Sequence, residues 1–415
     1  MTERRCGRRA VSPNSPRPSQ LLALFFAVGL TMLVFGSAAA IADALGGPWW
    51  LHWLSLHLAL LGGVSQLVLG AGQFFACAFL ATDPPSRRLV AAQLATWNAG
   101  TALVAIGVPA ELHGLVDAGV VLVLAGLLLF AYALRGMQRG SLQRAPWAVR
   151  WYLACAACLA AGALVGALLA AGTSWTHGSL LGAHLALNLG GWLGMAIVGT
   201  LHTFFPSLTH TRLRFARLQS PTFGLWLGGV AAIALGAAFG SDAVIAIGWL
   251  ALLGAAGLLG INLITSLRGA DTPLTLPARL IGLAQCFLGA GLTLAFVATL
   301  SEGSAAVFAG SSRAALAALI AGGWIGLTVA GSLLHLLSVV VRVRHFSRAM
   351  PSPRPLPDSA LAGAAGLGIA GAALSHAPGL NALGTPAAIL LLLVTALLAA
   401  RILPLAWRGL RPVRR

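Results

Sequence analysis

The sequence predicts an all-α fold: a polytopic membrane bundle of about twelve transmembrane helices in three groups of four. Three observations predict it. Over 415 residues the chain is 58% hydrophobic and only 8% charged, with a mean hydropathy of +0.89, too apolar for the surface of a soluble protein. Its apolar runs have the length, roughly 20 residues, that crosses about 30 Å of hydrocarbon. Finally, one segment recurs: LHLALLGGV at 56–64, HLALNLGGW at 184–192 and, without its histidine, ALIAGGWIG at 318–326. The glycine pairs of the three copies lie 128 and then 132 residues apart (62 to 190, 190 to 322). A period that long is the length of four helices and their loops.

The runs follow in order at about 21–45, 51–81, 89–108, 112–135, 148–172, 178–208, 221–240, 243–267, 277–300, 314–341, 360–379 and 384–408. They make one transmembrane domain, 21–408, with pseudo-repeats at about 21–135, 148–267 and 277–408. Residues 1–20, with SPNSPRP, read as a disordered tail, 409–415 as a basic tail, and the Pro- and Arg-rich interruption around 342–359 as a linker. The 51 glycines, with abundant alanine, let helix backbones approach closely in lipid. Alternating segments of about ten residues, the mark of a membrane β-barrel, are missing. The first apolar run, about 25 residues without a cleavage motif, does not read as a cleavable signal.

The net charge of +17 would suggest nucleic acid in a soluble protein, but its distribution excludes that reading. All 26 basic residues are arginine, and all except Arg313 fall in the two tails or the even-numbered loops. Asp43, Glu111, Asp117, Asp242 and Glu302 collect on the other side. By the positive-inside rule both termini are cytoplasmic and the protein belongs in the cell membrane. The arginines then form a rim against anionic headgroups of the lipid bilayer. There is no nucleotide-binding loop and no extramembrane catalytic domain, so any chemistry falls to the bundle or to a partner.

Buried polar side chains are the candidates for that chemistry, because they are costly in lipid. His57 and His184 both lie about six residues into helices running from outside to inside, and therefore at similar depth. His52, His113, His177 and His376 belong near the same outer surface. His184 and Asn188 share a face at i and i+4, Trp192 continues it, and His202 follows after five α-helical turns, about 27 Å further in. His202, His210, His335 and His345 read as interfacial on the inner side, and Trp49, Trp50 and Trp53 as an interfacial belt. Gln66 and Gln73 face away from His57. Cys155 and Cys158, one turn apart in CAAC, read as small packing residues rather than metal ligands.

Twelve helices in three groups of four, with histidines on the second and sixth, resemble the membrane fold of haem–copper oxidase subunit I. More closely, HLALNLGGWLGMAIVGTLHTFFPSLTHTR resembles actinobacterial membrane proteins associated with copper oxidases and nitrite reductases. It is also similar to the NnrS-type haem- and copper-containing proteins linked to nitric oxide. In those families the stretch begins H-x-H-x-N-x-x-G-W and reaches a proline before a basic loop. His184, Asn188, Gly191, Trp192 and Pro206 match it, and His57 matches the histidine of the second helix. The chain departs at Ala186, in place of the second histidine of H-x-H, at Gln73, where a further histidine is expected, and in the outer half of the tenth helix, which has none. The resemblance thus implies a reduced domain, not a complete oxidase on its own. It would bind one b-type haem or copper at His57 and His184, with Asn188 beside them, and work with a redox partner or cupredoxin-type protein in nitrite, nitric oxide or copper redox metabolism. Two alternatives stand beside it: a cofactor-free scaffold, and a small-molecule transporter using Asn98, Asn188, Asn262 and Gln285.

Overall fold

The computed structural model describes residues 15–143, 147–345 and 355–411. Much of the expected N-terminal tail, the Pro/Arg-rich linker and the basic end lie outside those residues. Every regular element among them is helical and no strand occurs. The long helices are α1 (Pro18–Ala44), α2 (Trp50–Leu80), α3 (Arg87–Gly107), α4 (His113–Gly140), α5 (Trp147–Ala170) and α6 (Leu180–Leu208), followed by α7 (Gln219–Phe239), α8 (Asp242–Arg268), α9 (Leu276–Glu302), α10 (Arg313–Arg344), α11 (Pro355–Leu374) and α12 (Gly384–Leu410). Serines start several of them: Ser86, Ser179 and Ser241 accept from Leu89 N, Gly182 N and Val244 N, satisfying donors a helix start leaves open.

Eleven of these helices are long and apolar enough to cross a bilayer, the property of a multi-pass membrane protein. The eleventh expected run, 360–379, is a helix only as far as Leu374. Its first turn carries Pro357 and Asp358, and beyond it the chain turns through Pro378 and Gly379 (φ 78°). The starts of α1 and α3 and the ends of α10 and α12 line one groove through Gln20, Arg87, Arg344 and Leu410. These four helix ends therefore share one side, as alternate crossings require.

Three helices are not regular. α2 is π-helical over Leu58–Val64, α6 over Ala186–Gly194 and α10 over Ala317–Gly326. Each segment contains one of the glycine pairs. The sequence gives no sign of a broken helix; the interruption lies in hydrogen-bond pattern, with i→i+5 bonds widening the turn. Two of the carbonyls concerned receive indoles: Trp97 Nε1 on α3 donates to Leu61 O (3.3 Å), and Trp226 Nε1 on α7 donates to Gly190 O (2.9 Å). The second glycine of each pair meets the preceding helix. A Cβ added at Gly63 would lie 3.3 Å from Gly29 O, at Gly191 2.5 Å from Cys158 Cβ, and at Gly323 2.7 Å from Phe287 Cγ.

The helices pack as consecutive pairs, α3 on α4 and α7 on α8 most extensively. Both of those crossings run through facing glycines, Gly100 with Gly119 and Gly229 with Gly248, where an added Cβ would stand 2.7–2.8 Å from the opposite carbonyl. Between α2, α6 and α10 lies a cavity of about 80 Å³, apolar except for hydroxyls such as Thr200, Thr328 and Ser332. Leucines such as Leu128 (72% exposed) and Leu392 (71%) cover the outside, which suits lipid.

Candidate metal centre

His57 and His184 come together. Their ring centroids lie 6.4 Å apart with the planes tilted by 32°, and both are largely enclosed. His57 closes the α-helical start of α2, just before the π segment, and its Nδ1 donates to Trp53 O at 2.9 Å. Trp53 stacks on its ring at 4.1 Å. That indole is therefore a wall of the histidine pair and not a belt residue, whereas Trp49 is exposed.

His184 stands in the same situation at the start of α6. Its Nδ1 donates to Gly162 O on α5 at 3.0 Å. Asn188 Nδ2 donates to His184 O at 2.7 Å, so its 3.2 Å approach to Nδ1 is proximity between two donors and not a second bond. α5 makes room by omitting side chains. A Cβ at Gly162 would lie 2.6 Å from Asn188 Nδ2, and one at Gly166 3.0 Å from His184 Cε1. A carbonyl can only accept, so both imidazoles carry their proton on Nδ1 and keep a lone pair on Nε2. That is the tautomer of a metal-ligating histidine whose outer nitrogen is held by a backbone carbonyl.

The polar stripe expected along α6 is interrupted. The π segment lies between His184 and His202, so α-helical phase does not carry across it. Asn188 stays against α5, but Trp192 turns to α2, donating from Nε1 to Ser65 Oγ at 2.7 Å while Ser65 donates to Leu60 O. His202 is fully buried, stacked on Trp151 of α5 at 5.9 Å, with Nδ1 donating to Val198 O and Nε2 without a partner. Periodicity could not give this, since burial near a helix end depends on neighbours far away in sequence.

The remaining candidates scatter. His52 pairs with Asp43 at 3.2 Å on the surface. His335 packs edge-on against Phe204 at 5.5 Å. Asn98 and Gln285 donate to their own helices, at Leu94 O and Ile281 O, and Asn262 pins the loop at Phe215 through both its N and O; none of the three lines either described cavity. Cys155 Sγ donates to Tyr152 O and Cys158 packs on Gly191. Among the described residues no group of three or more His, Cys, Asp or Glu side chains comes together. Gln73 and Gln93 bond each other at 3.1 Å, an α2–α3 contact absent from the sequence reading, while neither amide atom of Gln66 has a partner.

No protein-family model matches this chain, and no curated protein matches it significantly.

Proposed function

We propose that His57 and His184 are the two protein ligands of one metal centre, either b-type haem iron or copper, in a membrane protein of the reduced haem–copper oxidase kind. The observation that carries this reading is their 6.4 Å ring separation with both Nδ1 atoms tied to carbonyls. With each Nδ1 tied to a carbonyl, each Nε2 keeps the lone pair that would bind such a centre. Neutral imidazole suits either metal. His57 and His184 would hold the group through Nε2, and two nitrogen donors do not complete a closed tetrahedral site. The donor set suits such a group: both imidazoles are nitrogen donors fixed by backbone carbonyls, Trp53 covers His57, and Asn188 braces the α6 backbone at His184. A bound centre would supply one-electron chemistry or diatomic-gas binding, in keeping with the nitrite, nitric oxide and copper resemblance, with a redox or cupredoxin-type protein as electron partner.

Internal contacts support the threefold architecture behind this reading. Trp97 with Leu61 and Trp226 with Gly190 are each separated by 36 residues. Gly100–Gly119 and Gly229–Gly248 stand 129 residues apart (229 − 100, 248 − 119), and so do Gly29, Cys158 and Phe287, which the second glycines meet, although at Gly63 Leu33 is nearer than Gly29. In this reading α1–α4, α5–α8 and α9–α12 are three copies, with α2, α6 and α10 around the central cavity.

A reduced-minus-oxidised visible spectrum of protein purified from haem-replete cells, with metal analysis of the same sample, tests the proposal. The expected result is a b-type α-band or one copper per chain. A colourless, metal-free protein overturns it and favours the cofactor-free scaffold, for which the apolar lining of the central cavity and the lack of a third ligand speak.

A further inference from the structure

A second cavity lies at the end of the bundle that holds the starts of α1 and α3. It has a volume of about 510 Å³, and Arg87, Arg344 and Gln20 line it together with an apolar wall including Ala23, Val90 and Leu94. Among the described residues no acidic side chain lines it. Arg344 donates to Gly409 O, which leaves the rest of its guanidinium fork unused. Arg87 is exposed, and among the described residues nothing pairs with it. Arg401 shows the contrast, because it is neutralised by Asp358 at 2.6 Å.

The lining is graded along the helices. From Gln20 to Ala27 on α1 and from Arg87 to Leu94 on α3 the wall descends seven residues, about 10 Å at the α-helical rise. Guanidinium therefore lies at the helix-end rim of the groove and hydrocarbon-like surface lies below it. An inorganic anion has no use for the apolar wall. A purely apolar guest would strand an unpaired cation against it. A molecule with an anionic phosphate and hydrocarbon tails satisfies both, and the planar guanidinium fork matches phosphate oxygens.

We propose that this groove binds one anionic phospholipid, with its phosphate on Arg87 and Arg344 and an acyl chain along Ala23, Val90 and Leu94. The proposal is independent of the histidine pair.

Native mass spectrometry of the full chain, released from nanodiscs of phosphatidylglycerol and phosphatidylcholine with identical tails, tests it. One phosphatidylglycerol should survive after bulk lipid is stripped. Arg87→Gln should cut its retention roughly fivefold, and Arg88→Gln, at the adjacent exposed arginine, should leave it unchanged. Millimolar inorganic phosphate should not displace the lipid, because the tail anchors it; displacement means a headgroup-only anion site and overturns the proposal. Equal retention of phosphatidylcholine, or equal losses from Arg87→Gln and Arg88→Gln, reduces the effect to the general basic rim and overturns it as well.

Discussion

α2 and α6 share a backbone device with α10, but α10 lacks their histidine. All three widen into a π-helix around a glycine pair, and in all three the second glycine lies against the preceding helix. Only α2 and α6 carry a histidine ahead of the pair. Leu316 stands six residues before Gly322 (322 − 316), where His184 stands six before Gly190 (190 − 184). Only in α2 and α6 does an indole from a later helix donate to a carbonyl of the π segment. The buried Trp324 Nε1 of α10 itself has no partner. The π segment is thus a way to pack glycine against a neighbouring helix, and at two of the three places a histidine precedes it. π turns often sit at functional sites; here one of three does not carry the histidine.

The largest contrast is in the cofactor. His57→Ala and His184→Ala should each remove the haem band or bound copper completely, while Leu316→Ala and His335→Ala should retain it in full, read from difference spectra and metal analysis. Retained cofactor in both histidine variants would sink the ligand assignment. The comparison between α2/α6 and α10 would then lose its chemical half.

The next contrast tests the device they share. An added Cβ at Gly191 meets Cys158 Cβ at 2.5 Å and one at Gly323 meets Phe287 Cγ at 2.7 Å, whereas Gly322 has nothing within 4 Å. Gly191→Ala and Gly323→Ala should cost about 1–3 kcal/mol as overpacking. Gly322→Ala should be neutral or mildly stabilising, since alanine is the better helix former. Thermal melts in detergent check the order, and a Gly191→Ala protein as stable as wild type contradicts the close contact with α5.

Ser65→Ala sharpens the link between α2 and α6. It leaves Trp192 Nε1 buried without its acceptor, at a cost of about 1–3 kcal/mol. The same melts report it. Ser65→Thr keeps a hydroxyl and should recover part of the loss.

The fold class was legible in the sequence because a bilayer imposes it: each crossing needs one long apolar run, and such runs can be counted. The same regularity placed His57 and His184 at similar depth, since both follow the start of helices running in one direction, and the structure puts their rings 6.4 Å apart. What the sequence hid depends on departures from 3.6 residues per turn. Each π segment carries a glycine pair, but glycines such as Gly100 and Gly229 sit in regular α-helix, so the phase from His184 to Trp192 and His202 could not be projected. Trp53 reads as a belt residue because its composition and position near a helix start are those of a belt. Only the neighbouring ring reveals its stack on His57. The run at 360–379 overshoots its helix, which ends at Leu374 before the polar Ser375 and His376, and Pro378 and Gly379 turn the chain.

The smallest contrast separates hydrogen bonding from packing among the tryptophans themselves. Trp226 and Trp324 touch each other at 5.7 Å and are both buried, so replacing either by phenylalanine removes a similar amount of ring. Trp226→Phe also strips Gly190 O of its 2.9 Å donor, adding about 0.5–1.5 kcal/mol. Trp324→Phe removes an N–H that has no partner, which relieves a buried donor and offsets part of its cavity cost. Trp97→Phe should fall between them, because its bond to Leu61 O is longer at 3.3 Å. The expected order of destabilisation is Trp226→Phe, then Trp97→Phe, then Trp324→Phe. Equal losses for the Trp226 and Trp324 variants would mean that the indole bond adds nothing to the π segment of α6. The difference between α6 and α10 would then rest on His184 alone.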